Sequence, residues 1–260
     1  MIILFILTLM CSSMIYYYLH LKTHISLKHL LYDNTLVAAT ASILAFSLLG
    51  LTWYSLLFSI LSLPVLAFVN LQWRFWRSPK RKLTATENQI VSPADGNIIY
   101  IKKLEEQDEF VSVKKGDIST LYEIMQTDLV KKPCWQIGIN MTPFDVHKNC
   151  SPIKGRVILS KHTKGKFLSL KNQSSVSENE RHTYVIENQN CRAAIVQIAS
   201  KHVRRIDSYV SEGKEVDKGD WIGMIRFGSQ VDVFLPYTAE LRINLKQQVY
   251  AKSSIIAELP

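Results

Sequence analysis

No charged residue occurs between Met1 and Leu19. That stretch has about the roughly 20 apolar residues a helix needs to cross a bilayer core. It lacks the basic start and small-residue cleavage site of a secretory leader, so it predicts a retained anchor. A polar connector with Lys22, His24, Lys28, His29 and Asp33 follows, and the chain then runs uncharged from Leu36 to Leu71. At a rise of 1.5 Å per residue the second run would make about 54 Å of helix, against a hydrocarbon core of roughly 30 Å. The expectation is therefore a hairpin of two helices bending at Gly50, Thr52 and the interfacial pair Trp53 and Tyr54. One tilted helix ending near Pro64 is the alternative.

From Ile90 onward the pattern changes to short runs of β-forming residues set off by turns. NQIVSPADGNIIYIKKL, CWQIGINMTPF, AAIVQIA and the segment from Gly213 to Pro236 all read as strands beside Gly, Pro or Asp turns. Ser119 to Asp128 reads as a short helix. No period of the kind that marks repeat architectures is present. The fold class expected is mostly β (α+β), with a compact antiparallel, barrel-sandwich-like domain preceded by membrane helices. The segments are residues 1–35 (membrane helix and connector), 36–87 (hairpin and juxtamembrane belt) and 88–260 (the β domain).

Composition agrees with a membrane setting. Apolar residues make up 47% of the chain, and the formal net charge is +9. Nucleic acid would also suit that charge, but no RNP, helix-turn-helix or zinc-finger pattern accompanies it, so an anionic membrane is the expected partner and nucleic acid is not. Gln72 to Lys82, QWRFWRSPKRK, interleaves Arg74, Arg77, Lys80, Arg81 and Lys82 with Trp73, Phe75 and Trp76. Such a belt reads as a topology signal on the cytoplasmic side, and additionally as a patch holding the next domain against head groups. Cys11, Cys134, Cys150 and Cys191 have no metal-ligand or disulfide spacing, so free thiols and no metal are expected.

Candidate chemistry interrupts the β pattern at three places. VSPADG puts Asp95 in a tight turn, PFDVHKNCSPIKG carries His147, and GMIRFGSQVDVFLP places Gly228 and Ser229 in the middle of an apolar strand. Each alone has an ordinary structural reading: an Asx turn, a satisfied histidine, a strand irregularity. Together they hold the groups of a nucleophilic triad, since a serine hydroxyl needs a base and an imidazole is oriented by a carboxylate.

VSPADG, PFDVH followed by SPIKG, NER at Asn179 to Arg181, KGDWIG and FGSQV resemble, in order and approximate spacing from Arg74 to Leu235, the phosphatidylserine decarboxylase proenzyme family. RFWRSPKR also resembles the segment by which the shorter members follow a membrane hairpin. The resemblance implies that Ser229 attacks the carbonyl of Gly228, that an N-to-O acyl shift and β-elimination cut the chain, and that residue 229 becomes a covalent pyruvoyl group. The products would be a β chain of residues 1–228 and an α chain of residues 229–260, held as a heterodimer. The pyruvoyl group would form a Schiff base with phosphatidylserine and accept the electron pair left by CO2, giving phosphatidylethanolamine. His147 would act as base in cleavage or as proton donor afterwards, with Asp95 orienting it. The implied location is the inner cell membrane, with the catalytic domain on the cytoplasmic face.

Two features depart from that pattern. Many members carry HxxH where this chain reads HKNC, so Cys150 stands at the second histidine's place and reads as a small buried filler. The anchor at Met1 to Leu19 is additional to the shorter members' hairpin. A competing reading is a non-catalytic, membrane-anchored barrel-sandwich adaptor of the biotinyl or lipoyl type. It would account for the strands and the KGDWIG hairpin, but it would need a modifiable lysine, and Lys218 lacks the Met-Lys context of a carrier. Arg156, Arg181 and Arg204 are candidates for contacting the substrate phosphate.

Overall fold

A computed structural model describes residues 1–23, 27–105, 111–114, 117–119, 121–169, 175–200, 205–226 and 229–260. They form two compact units, Met1–Arg77 with Thr142–Phe144, and Ser78–Met141 with Asp145–Pro260.

The first unit is built on α1 (Ile2–Thr23), α2 (Leu27–Leu49) and α3 (Trp53–Trp76). All three are long and apolar enough to cross a membrane. The uncharged run does turn back on itself: Gly50, at φ +62°, closes α2 by donating its N–H to the Phe46 carbonyl at 2.9 Å, a left-handed cap that glycine adopts without a Cβ penalty. The alternative of one tilted helix ending near Pro64 is not what forms, since α3 continues through Pro64 to Trp76.

The distribution of side chains in this unit is inside out relative to a water-soluble bundle. Ile3, Met10, Leu48, Leu61, Val65 and Phe68 are exposed. Polar groups turn inward and pair: Thr8 with Ser59 at 2.9 Å, Asn34 with Ser13 at 2.8 Å, Asn70 with the Tyr16 hydroxyl at 3.1 Å, and Arg74 with Asp33 at 2.5 Å. In hydrocarbon an unpaired polar side chain is costly, so interhelical pairing of this kind suits a lipid-facing exterior. It also explains why α2 begins before Leu36: Asp33 and Asn34, polar in the sequence, are buried partners inside the bundle.

The second unit carries β1 (Gln89–Val91), β2 (Gly96–Leu104), β3 (Val111–Lys114), β4 (Asp117–Ser119), α4 (Leu121–Met125), β5 (Cys134–Met141), β6 (Lys148–Cys150), β7 (Gly155–Thr163), α5 (Ser175–Glu178), β8 (Arg181–Glu187), β9 (Arg192–Ile198), β10 (Ile206–Ser208), β11 (Glu215–Val216), β12 (Trp221–Ile225), β13 (Ser229–Pro236), β14 (Glu240–Leu241), β15 (Gln248–Val249) and β16 (Ile255–Glu258). Eight of them form one curled antiparallel sheet in the order β11-β7-β8-β9-β13-β5-β2-β15, and two three-stranded sheets run β1-β16-β14 and β10-β12-β6. The expected α+β class, helices first and an antiparallel β domain after, is what the chain adopts.

Both faces of the large sheet are covered, which is why its central strands read as continuous apolar runs rather than alternating ones. Along β9, Ala193 and Ile195 join one core with Ile98, Ile139, Val231 and Ile256, while Ala194, Val196 and Ile198 face the other way with Ile124, Met125 and Phe234. β13 lies between β5 and β9, paired to both.

Candidate active site

The VSPADG turn joins β1 to β2. Ser92 closes it by donating its hydroxyl to the Ala94 carbonyl at 2.7 Å. Gly96 follows at φ +149°, and a Cβ there would lie 2.3 Å from the Asn140 carbonyl oxygen on β5, so only glycine lets the turn meet the strand. The Asp95 carboxylate is thereby buried, 1% exposed. Arg81 grips it with both ends of its guanidinium fork, at 2.5 and 2.7 Å, and the backbone N–H groups of Ala251 and Val146 donate to it at 2.8 and 3.3 Å.

His147 is fully buried between that turn and β6. Its Nδ1 lies 2.9 Å from the backbone carbonyl of Asp145. A carbonyl can only accept, so this nitrogen carries the proton, and in the neutral ring Nε2 is left with the lone pair a base requires. The carbonyl of Asp145 therefore does what the sequence assigned to the Asp95 carboxylate. Among the described residues Asp95 bonds to Arg81, Val146 and Ala251 and not to the imidazole; it stands one residue away, holding the amide that precedes His147.

β12 runs beside β6, with Met224 opposite Lys148 and Gly223 opposite Asn149. At its end Ile225 donates its N–H to the His147 carbonyl at 3.2 Å. Four residues later the backbone of Ser229 opens β13, opposite Met141 on β5. β12 thus ends at the His147 peptide, and β13 begins at the centre of the large sheet. Gly228 lies outside the described residues, and Ser229 is placed by its backbone.

Other residues picked out in the sequence have different occupations. Cys150 is buried, its thiol pushed up to about 12 by burial and directed at the Ser92 carbonyl at 3.4 Å, which makes it inert filler. Arg181 spends its guanidinium on the carbonyls of Ser177, Asn179 and Glu123, and Asn179 bridges Leu168 to Ala199, so NER is a brace. Arg204 lies outside the described residues. Lys218 donates to three backbone carbonyls, those of Thr86, Glu87 and Gln89 at up to 3.0 Å, and is no presentable carrier lysine.

Within the basic belt the cations separate. Arg74 is buried against Asp33, and Arg81 is half-buried against Asp95, with side-chain exposures of 9% and 16%. Arg77 donates to the Arg74 carbonyl at 3.0 Å, while Lys80 and Lys82 are exposed. Arg74 and Arg81 are thus spent on ion pairs within the protein, and the two lysines are the exposed cations of the belt.

One cluster was missed in the sequence. Asp232, fully buried on β13, has the Tyr100 hydroxyl 2.6 and 2.7 Å from its two oxygens, and accepts from Gln136 at 2.8 Å and Gln230 at 2.7 Å. Burial raises its pKa, against the hydrogen bonds that lower it. The signal was an aspartate inside the apolar run VDVFLP, a residue type rarely buried without partners.

A family model described as phosphatidylserine decarboxylase matches residues 68–257. A phosphatidylserine decarboxylase proenzyme from Geobacter sulfurreducens is 32% identical over 226 residues, which cover 85% of this chain and 93% of that one. One from Amoebophilus asiaticus is 37% identical over 186 residues, 71% of this chain and 74% of the other. A putative archaetidylserine decarboxylase proenzyme from Methanocaldococcus jannaschii is 36% identical over 183 residues, 70% of this chain and 87% of its own length.

Proposed function

The chain belongs to the phosphatidylserine decarboxylase family, and from that premise we propose that it is a precursor that cuts itself between Gly228 and Ser229, carries a pyruvoyl group on residue 229, and decarboxylates phosphatidylserine as a pyruvoyl-dependent carboxy-lyase. The observation that carries this reading is the bond from Ile225 to the His147 carbonyl, which holds the end of β12, four residues before Ser229, at the peptide of a buried imidazole whose Nδ1 is fixed.

In the cut, the Ser229 hydroxyl attacks the Gly228 carbonyl while His147 takes the hydroxyl proton. The amide nitrogen leaves as an amine and an ester joins the two residues. Loss of the α proton of residue 229 then expels the Gly228 carboxylate, and the dehydroalanine left at residue 229 tautomerises, takes up water and releases its nitrogen as ammonia to give the pyruvoyl group. β13, paired on both sides, keeps the new terminus in place. The residues present fit a pyruvoyl group: a serine opens the strand, a glycine precedes it, and the segment reaching it starts at the carbonyl of a buried histidine. When formed, that group supplies an electrophilic carbonyl that drains electrons from the bond to CO2. His147 holds the proton returned to the substrate carbon. Asp95 fixes the amide before it, and the packed surroundings exclude water from the imidazole.

The substrate stays in lipid, which gives the apolar helices and exposed Lys80 and Lys82 their purpose: the helices anchor the chain in the inner membrane, and the lysines favour an anionic cytoplasmic face. The serine head group is common to both substrate names among the relatives, so the reading commits to that group. A non-catalytic adaptor is not favoured, since Lys218, the lysine beside its turn glycine, is occupied by carbonyls. Intact mass of the purified protein tests the proposal. Two pieces divided at residue 229 are expected, with Ser229→Ala remaining whole; active protein in one piece would overturn it.

A further inference from the structure

The Asp95 carboxylate has room for four donors and has four. Two come from Arg81, which reaches in from a segment that reads, by composition, as membrane-surface belt. The same guanidinium donates to the Ala251 carbonyl at 2.9 Å, while the Ala251 N–H returns to Asp95 at 2.8 Å, so the three residues close a ring. The Tyr250 ring stands 5.6 Å from the guanidinium carbon. The oxygen that accepts the second guanidinium bond, at 2.7 Å, also accepts the N–H of Val146 at 3.3 Å, and the next residue is His147. One carboxylate oxygen thus joins Arg81 to the Asp145–Val146 peptide, whose carbonyl holds the His147 ring.

We propose that Arg81 is a positioning residue for the chemistry at His147 and Ser229, acting through Asp95. Without the fork, a carboxylate that is 1% exposed keeps two backbone donors and an uncompensated charge. It must then rotate or take up a proton, and either change loosens the Val146 amide. A lysine would keep the charge but cannot hold both oxygens in one plane. The ring also spans the proposed cut, because Arg81, Asp95 and Val146 lie before residue 229 and Ala251 after it.

This inference rests on the proposed cleavage, and its test separates the two. The full chain is made by cell-free synthesis in lipid vesicles, and loss of the uncut form is followed on gels, with rates taken over the protease-resistant, folded fraction. Arg81→Gln is expected to slow cutting at least about tenfold, as small displacements of a reacting group do. Arg81→Lys should fall between it and the unaltered chain. Because both residues act through one contact, Arg81→Gln with Asp95→Asn should be no slower than Asp95→Asn alone. Cutting of Arg81→Gln at the unaltered rate, or a double variant whose loss is the product of the two single losses, overturns the proposal. If Arg81→Gln yields no folded fraction, Arg81→Lys and the charge-neutral double variant decide it: a lysine variant at the unaltered rate, or a double variant slower than Asp95→Asn alone, is equally fatal. Ser229→Ala is run alongside. If it is still cut, the cleavage reading itself fails, whereas a normal rate at position 81 with Ser229→Ala uncut removes only the role of Arg81.

Discussion

Ile225 donates its backbone N–H to the carbonyl oxygen of His147. β12 therefore ends at the histidine's own peptide, four residues before β13 opens at Ser229. His147→Ala is expected to leave the precursor uncut, slowing the cut by about a hundredfold or more, the usual worth of a positioned base. Gel analysis of freshly made protein reads this directly. Normal cutting with decarboxylation lost would restrict His147 to returning the proton, and normal values of both would remove it from the chemistry.

Lys80 and Lys82 are exposed where Arg74 and Arg81 are held in ion pairs. Reversing the two lysines to glutamate should reduce decarboxylation on anionic vesicles and leave self-cutting untouched. Each cation near such a surface contributes on the order of 1 kcal/mol, so a loss of at least about thirtyfold is expected at low salt, shrinking as salt screens the surface. Equal loss on a short-chain, water-soluble substrate would show that the lysines do not serve docking.

The hydrophobic pattern carried the gross plan well, because the bend at Gly50 and the onset of β texture are local properties of the chain. Arg81 shows where it stopped. Nothing in RSPKRK separates a guanidinium bound for lipid from one that turns back to a carboxylate fourteen residues on; that depends on which loops meet. Asp33 is the same case, a polar residue read as connector that lies inside the helices against Arg74. His147 and Asp95 were visible as residue types in turns. The carbonyl of Asp145 as the group that fixes the ring was not, since every residue has a carbonyl and only the fold selects one.

His182 is buried beside Ser160, whose hydroxyl lies 3.0 Å from its Nε2. Burial, with the His162 charge second, lowers its pKa to about 4. The unfolded chain, with a histidine near 6.5, binds this proton more readily than the folded one. Stability is therefore flat in this respect above pH 6.5 and falls as pH drops from there towards 4, by on the order of 2 to 3 kcal/mol. His182→Gln should flatten that slope in thermal unfolding at stepped pH, and an unchanged slope would assign the acid sensitivity to other groups.

Asp232 accepts from Tyr100, Gln136 and Gln230 with no exposure to water. Asp232→Ala strands those donors, and a loss of about 2 to 4 kcal/mol in unfolding free energy is expected. Denaturant titration in detergent checks it. An effect below about 0.5 kcal/mol, the range of ordinary surface changes, would mean that the donors find other acceptors.

β13 occupies the middle of the eight-stranded sheet, with β5 on one side and β9 on the other. After a cut before Ser229 that strand would belong to a separate short polypeptide, and the enzyme's working life would be set by how slowly a central strand escapes from between two neighbours. Release would require both hydrogen-bonded ladders and two apolar faces to open at once, so dilution alone should not part the fragments. Maturation would then act as a ratchet: the backbone bond is surrendered, while the ladders flanking β13, the pairings of β15 with β2 and β16 with β1, and the bonds of Ala251 to Arg81 and Asp95 remain as clasps.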